Sequence, residues 1–379
     1  MNPTIIVGSG LAGYGLLREL KNHQYPSPIT LITADGGESY YKPNLSALQT
    51  KKKTAKQLIM ATAAKMAQDM EAEILTHTQV TAIDTANHHL TLDDGQIKPY
   101  HKLVLAIGAS PVRLPLTGDG AGEVLSVNNL ADYSVFEERL AQARRVAIIG
   151  PGLIGVEFAN DLLQSHRTVA VIGPIPWPIS NLLPEPVGRA LQQIMRDNGT
   201  SWHLQTSNGP INKHDSGYSI VLENNSVVEA DLVLSAVGIR ANLQLATQSG
   251  LKTNRGIVTD RWLQTSAPDV FALGDCAEVD GQNLPFVQPL LIGTRALAAT
   301  LAGQPEEVRY PPMPVSIKTS LYPLVVLPPK TNVGRWVFEG SAATGLVGRF
   351  MTHADRLAGF VLSGDRISEK EKLMEEYPP

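Results

Sequence analysis

The stretch Thr4-Ile-Ile-Val-Gly8-Ser-Gly10-Leu-Ala-Gly13-Tyr-Gly-Leu-Leu-Arg-Glu-Leu20 decides how the chain is read. Its first four residues are β-branched, as suits a buried strand, and they run straight into the spacing Gly-x-Gly-x-x-Gly. Leu16, Leu17 and Leu20 then recur at helical spacing, so the glycines lie between a strand and a helix. Ile29-Thr-Leu-Ile-Thr-Ala-Asp35 reads as a second strand, and its closing acid falls 22 residues after Gly13. Together these are the parts of a β-α-β dinucleotide-binding unit. In such a turn, backbone N–H groups meet a pyrophosphate at a helix start whose dipole is worth about half a positive charge. Ser9, Gly10, Leu11 and Ala12 line that cradle, and Asp35 is the candidate acceptor for ribose hydroxyls.

The pattern recurs 142 residues further on, counted from Gly8 to Gly150. Arg145-Val-Ala-Ile-Ile-Gly150-Pro-Gly152-Leu-Ile-Gly155-Val-Glu157 is again strand, glycine turn and helix, and Val169-Ala-Val-Ile-Gly173 is its second strand. Gly150, Gly152, Leu153, Ile154 and Gly155 are the second cradle. Each unit is closed by an apolar strand ending in glycine, Leu103–Gly108 in the first and Asp231–Gly238 in the second. Two such units imply two nucleotide sites. The expected fold class is α/β, with two Rossmann-like domains and a small C-terminal α+β domain. The expected boundaries are 1–110 with 240–310, then 111–239, then 311–379. The turn-rich stretch 117–129 reads as a hinge, Gly293–Leu301 as a helix, and the Glu/Lys-rich tail from Glu369 as a solvated helix or frayed end.

In 379 residues, 43% hydrophobic and 18% charged, there is material for a sizeable core and no sign of disorder. A net charge of -4 gives no basic face for nucleic acid. One cysteine, Cys276, excludes an internal disulfide, a redox-active cysteine pair and a cysteine-rich metal site. The nine histidines lack metal-ligand spacing, so no metal is expected. With neither a secretory signal nor an apolar run of about 20 residues, the chain is expected to be cytoplasmic.

Several residues carry a functional and a plain reading side by side. Glu157 suits a helix N-terminus, a place that favours carboxylates. Asp275, just past Gly274 at the end of an apolar run, is placed either for a polyol or as an N-cap of a helix starting at Ala277. Lys318, in Met313-Pro-Val-Ser-Ile-Lys318-Thr, lies on the polar side of a strand, and Lys42 precedes a proline in a loop. Lys51-Lys52-Lys53 is a solvated patch or part of a landing site for an acidic partner. In the second unit Gly173-Pro174 stands where an acid usually reads the ribose of NAD, and no Arg or Lys follows until Arg189. Absence of that cation favours NADH over NADPH.

These motifs make the chain resemble the flavoprotein reductases with two dinucleotide-binding domains, the glutathione-reductase-like fold. Tyr41-Lys42-Pro43-Asn-Leu45-Ser46, Gly274-Asp275-Cys276-Ala-Glu and Met313-Pro-Val-Ser-Ile-Lys318-Thr make it most similar to rubredoxin reductases. The resemblance covers essentially the whole chain. It implies non-covalent FAD at the first turn, held by Ser9–Ala12, Ala34, Asp35, Lys42, Val80, Asp275 and Val287, and NADH at the second, with Gly238 beside it. It implies that Glu157 and Lys318 approach the isoalloxazine where nicotinamide stacks. It also implies hydride transfer from NADH to flavin N5, then single electrons to rubredoxin or a similar small acidic iron protein, with alkane hydroxylation as the downstream use. A flavodiiron partner carrying a rubredoxin domain, or an oxygenase ferredoxin, is the nearest rival acceptor. A flavoprotein that NADH merely switches between conformations is the rival of another class.

Overall fold

Parallel strands buried on both faces need uninterrupted apolar side chains. Ile5, Ile6 and Val7 meet that need, as do Leu103, Val104 and Leu105, and all six are buried. The computed structural model describes residues 2–378 and divides into two compact units. The first runs from the N-terminus to Lys42, then Lys56–Ser110, then Ile239–Pro311. Its five-stranded parallel sheet has the order Val270–Ala272, Lys102–Leu105, Thr4–Val7, Ile29–Ile32, Glu73–Leu75. The helices Leu11–Asn22 and Val287–Leu301 pack closely, because a Cβ on Gly15 would lie 3.3 Å from the Thr294 methyl.

The second unit is Pro43–Ala55, Pro111–Gly238 and the chain from Pro312 onward. A four-stranded parallel sheet orders Thr200–Leu204, Thr168–Gly173, Arg145–Ile149 and Leu232–Ser235. A five-stranded antiparallel sheet follows after Pro312, in the order Val315–Ile317, Leu324–Leu327, Leu357–Ser363, Gly345–Met351, Arg335–Ser341. Among the described residues no helix is long and apolar enough to cross a membrane.

Four local expectations need correcting. The helix read as starting at Gly293 starts at Val287, because Pro289 falls in its first turn, where a missing N–H costs nothing. No helix follows Asp275: Ala277–Val279 is a strand, paired with Ile257–Thr259, so the capping role lapses. The tail is not simply solvated, since Lys370–Glu376 buries Leu373 completely against Val347, Phe360 and Leu362. The stretch 117–129 is fastened rather than hinge-like. Gly120 N donates to Ile211 O at 2.9 Å, Lys213 N to Asp119 Oδ1 at 2.7 Å, and Leu125 N to Val233 O at 3.0 Å.

Candidate functional site

At the first turn, a Cβ on Gly13 would overlap the Gly8 carbonyl oxygen and stand 3.0 Å from its carbon, so strand and helix close up only on glycine. Gly10 is the opposite case. A Cβ there meets nothing within 4 Å, so the turn is open in front of the helix. Gly10 is the N-cap and brings no side-chain cap, and the first intrahelical bond is Tyr14 N to Gly10 O at 3.0 Å. The amides of Leu11, Ala12 and Gly13 therefore have no intrahelical acceptor. Open space, free amides and the positive end of a helix dipole fit a pyrophosphate.

Side chains at this turn divide the work. Ser9 is buried, and its Oγ lies 2.9 Å from Thr33 Oγ1 and donates to Asp35 Oδ1 at 3.0 Å. The same Oδ1 accepts from Thr33 Oγ1 at 2.7 Å and from Gly37 N at 3.0 Å. Asp35 is thus fixed at the rim beside exposed Ala34 while its Oδ1 ties the strand end to the turn. Gly274 has φ +78°, and a Cβ there would press to 2.8 Å from Ala12 Cβ, which sets Asp275 next to the helix start. Burial raises the Asp275 carboxyl above the usual range, opposed by the charge of Lys42. A carboxylate withdrawn from water beside free amides suits a polyol that carries its own hydroxyl donors. Val287 begins its helix, and Val80 opens the strand Val80–Asp84 with its side chain in the first unit's core. Cys276 donates to Leu105 O at 3.3 Å, and burial pushes its thiol up to about 11, so it behaves as a packed residue.

The second turn repeats the first in its skeleton. A Cβ on Gly155 would overlap the Gly150 oxygen and lie 3.1 Å from its carbon, whereas one on Gly152 meets nothing within 4 Å. Gly152 is an N-cap without a side-chain cap, and Val156 N bonds Gly152 O at 3.0 Å. Leu153 and Ile154 open the helix, Ile154 being 43% exposed, and Gly238, following the Leu232–Ser235 strand, is also open.

Glu157 lies on the same helix, in its second turn and not its first, so helix-end electrostatics do not explain it. It is 1% exposed and fully engaged. Oε2 accepts from Ser46 Oγ at 2.7 Å and pairs with Lys318 Nζ at 2.6 Å, and Oε1 accepts from Lys318 N at 3.0 Å. Lys318, just past the strand Val315–Ile317, keeps 34% of its side chain exposed. A buried carboxylate is tolerated only with such complete pairing. One turn along, Asn160 Oδ1 accepts from Leu321 N at 3.1 Å, and Asp161 accepts from Gln49 N at 3.0 Å and Thr50 N at 2.7 Å. Burial raises the Asp161 carboxyl, and the Thr50 and Gln49 hydrogen bonds and Lys318 oppose it. One helix face therefore ties 46–50 and 318–321 into place. Asn160, Asp161 and Ser46 escaped the sequence reading. The signal for the first two was polar residues at i, i+3 and i+4 in an otherwise apolar helix; Ser46 stood in a quoted motif, but at 111 residues from Glu157 nothing local gave it a role there.

Residues 2–300 match the pyridine nucleotide-disulphide oxidoreductase family, and residues 307–377 match the rubredoxin binding C-terminal domain. The chain is 42% identical to a rubredoxin-NAD(+) reductase of Alcanivorax borkumensis, over 100% of this chain and 99% of that protein. It is 34% identical to a nitric oxide reductase FlRd-NAD(+) reductase of Vibrio vulnificus, over 99% of this chain and 98% of that one. A ferredoxin reductase from Rhodopseudomonas palustris superposes with a TM-score of 0.89 at 25% identity, covering 100% of this chain and 96% of that chain. The family implies a flavin and NAD(H), which accounts for two open glycine turns in one chain. The chain belongs to the pyridine nucleotide-disulphide oxidoreductase family of enzymes and, within it, groups with the rubredoxin-NAD(+) reductases.

Proposed function

We propose that the chain is an NADH:rubredoxin oxidoreductase of the cytoplasm, with FAD at the first glycine turn and NADH at the second. The observation that carries this reading is the pair of open, uncapped turns in a chain whose residues 307–377 match a rubredoxin binding domain. When bound, flavin would supply the chemistry that links hydride donation by a nicotinamide to one-electron release, the conversion an iron protein needs. The protein's part is to bind, orient and charge the site. Ser9–Ala12 offer amides to the FAD pyrophosphate, Asp35 with Ala34 meets the ribose, and Asp275 takes the ribitol. Lys42, Val80 and Val287 complete the set. Gly150, Gly152, Leu153, Ile154, Gly155 and Gly238 form the NADH turn.

Glu157 and Lys318 are the proposed catalytic pair. The helix that offers its amides to the dinucleotide also carries Glu157, so the pair is built into the NADH-binding element. The ammonium supplies positive charge where negative charge arrives with the hydride, and Glu157 holds it in one position. With a single, packed cysteine no disulfide relay is available, so electrons pass without a thiol intermediate. The proposed domains are 1–110 with 240–310, 111–239 and 311–379; the second compact unit takes in the last two of these together with 43–55.

The acceptor is rubredoxin. The second reading, a nitric oxide reductase flavorubredoxin, is favoured by the 34% identity to reductases named for that partner. The test is anaerobic titration of the flavin-loaded protein with NADH, then stopped-flow mixing with a rubredoxin, a rubredoxin-bearing diiron protein and a ferredoxin. Rapid transfer to rubredoxin supports the proposal. Preferential transfer to the diiron protein favours the second reading, and no transfer to any of them leaves only an NADH-switched flavoprotein.

A further inference from the structure

We propose that Pro151 and Gly173 are an interlocked pair that shuts the carboxylate readout out of the second dinucleotide site. The preference for NADH then rests on the lack of a cation for a 2′-phosphate and not on an acid. The inference deepens the proposed function and rests on its reading of the second turn.

Register aligns the two units. Gly8 N donates to Ile32 O at 2.8 Å and Gly150 N to Ile172 O at 2.9 Å, so Thr33 and Gly173 are equivalent strand-end residues. The middle residues of the two turns, Ser9 and Pro151, are equivalent as well. In the first unit this pair is in contact, Ser9 Oγ lying 2.9 Å from Thr33 Oγ1. In the second unit the same two positions meet with no room left over. A Cβ on Gly173 would overlap Pro151 Cδ and stand 2.7 Å from Cγ.

The first side-chain atom is what clashes, so the ring excludes every side chain at 173, acids included. Pro151 cannot turn aside, because its ring fixes its own backbone and its carbonyl accepts from Ile179 N at 2.9 Å. A carboxylate at that strand end ordinarily binds the ribose hydroxyls and repels a 2′-phosphate. The first unit's own acid, Asp35, stands two residues past Thr33, and the matching residue here is Ile175, so neither effect operates. The first basic residue after the strand, Arg189, has partners of its own: Glu185 at 3.3 Å, Gln192 at 3.1 Å and the Trp177 ring at 5.6 Å. Nothing in this set attracts a 2′-phosphate strongly, and nothing repels it.

The test compares the parent with G173A, P151A, P151A/G173A and P151A/G173D. Thermal midpoints are measured for all, and dissociation constants for NADH and for NADPH by fluorescence titration. G173A should melt several degrees below the parent, and adding P151A should restore most of that loss. P151A/G173D should raise the NADPH/NADH ratio of dissociation constants by roughly tenfold over P151A/G173A, the size of one close like-charge repulsion. A G173A protein as stable as the parent overturns the steric pair. An unchanged ratio in P151A/G173D overturns the ribose half. Failure of the parent to bind either nucleotide overturns the reading of the second turn and the ribose half with it, while the melting comparison still decides the steric pair.

Discussion

The two β-α-β units share one set of glycines and differ in what fills the gap between turn and strand end. In the first, Ser9, Thr33 and Asp35 make a polar chain that ends in a carboxylate at the rim. In the second, a proline ring fills the space and the facing residue has no side chain. The glycines at close approach decide whether the turn exists, and the residues between them decide what it selects. A motif match therefore carries fold information at some letters and ligand information at others.

The largest effect should come from breaking the shared skeleton. Gly13→Ala and Gly155→Ala each drive a Cβ onto a backbone carbonyl, which should cost on the order of 3 kcal/mol or more. Urea unfolding and soluble yield measure it, and equal loss in both variants is expected if the units are equivalent in skeleton.

Next in size is the pair Glu157–Lys318. Lys318→Met leaves a buried carboxylate with only Ser46 and an amide, so stability should fall by about 1–3 kcal/mol and NADH-dependent flavin reduction should slow. Glu157→Gln should cost less, since the freed ammonium is already 34% exposed and can reach water. The double variant should recover part of the Lys318→Met loss. If all three melt with the parent, the pair has no structural weight.

Asp275→Asn separates binding from stability. Flavin affinity should drop by about 1.5–3 kcal/mol as an ionic hydrogen bond is lost, read by reconstitution of flavin-free protein. Stability of the flavin-free protein should move the other way. Burial raises the folded-state pKa of Asp275, so the ionised group destabilises the fold at pH above that value. The flavin-free variant should melt above its parent at about pH 7, and the gap should close as pH falls through the raised pKa. A constant gap across pH would remove Asp275 ionisation from the account.

The smallest effect should follow Gly10→Ala and Gly152→Ala. Both Cβ atoms point into open space, and the loss of a good N-cap costs about 0.5–1 kcal/mol. Measured by thermal melts against Gly13→Ala and Gly155→Ala, these variants sharpen the division between letters that build the turn and letters that face the ligand.

The glycine turns were legible because they record a backbone constraint within a few residues. Two short apolar strands around Gly8 and Gly150 left little else for those stretches to be. The Glu157 site was only half legible: Glu157 and Lys318 drew notice, but they lie 161 residues apart and Ser46 lies 111 residues from Glu157, so no local period reports that the three meet. Gly173 looked like an acid gone missing; only the position of the Pro151 ring explains it. Helix ends were misread where local residues point both ways, as with Pro289 inside a first turn and Lys/Glu residues around the buried Leu373.

The chain passes back and forth between its two units at 42/43, 55/56, 110/111, 238/239 and 311/312. That threading has a consequence for synthesis on the ribosome. Strand Lys102–Leu105 needs Val270–Ala272 as its neighbour, so the first unit's sheet is incomplete until more than 160 further residues have emerged. The four parallel strands between Arg145 and Ser235 have all emerged before Val270, so of the two large parallel sheets theirs is the first that can close whole. The sheet behind the second glycine turn is thus placed to form co-translationally while the N-terminal strands remain open-edged. That interval is when the nascent chain is most exposed to mispairing and most in need of a chaperone.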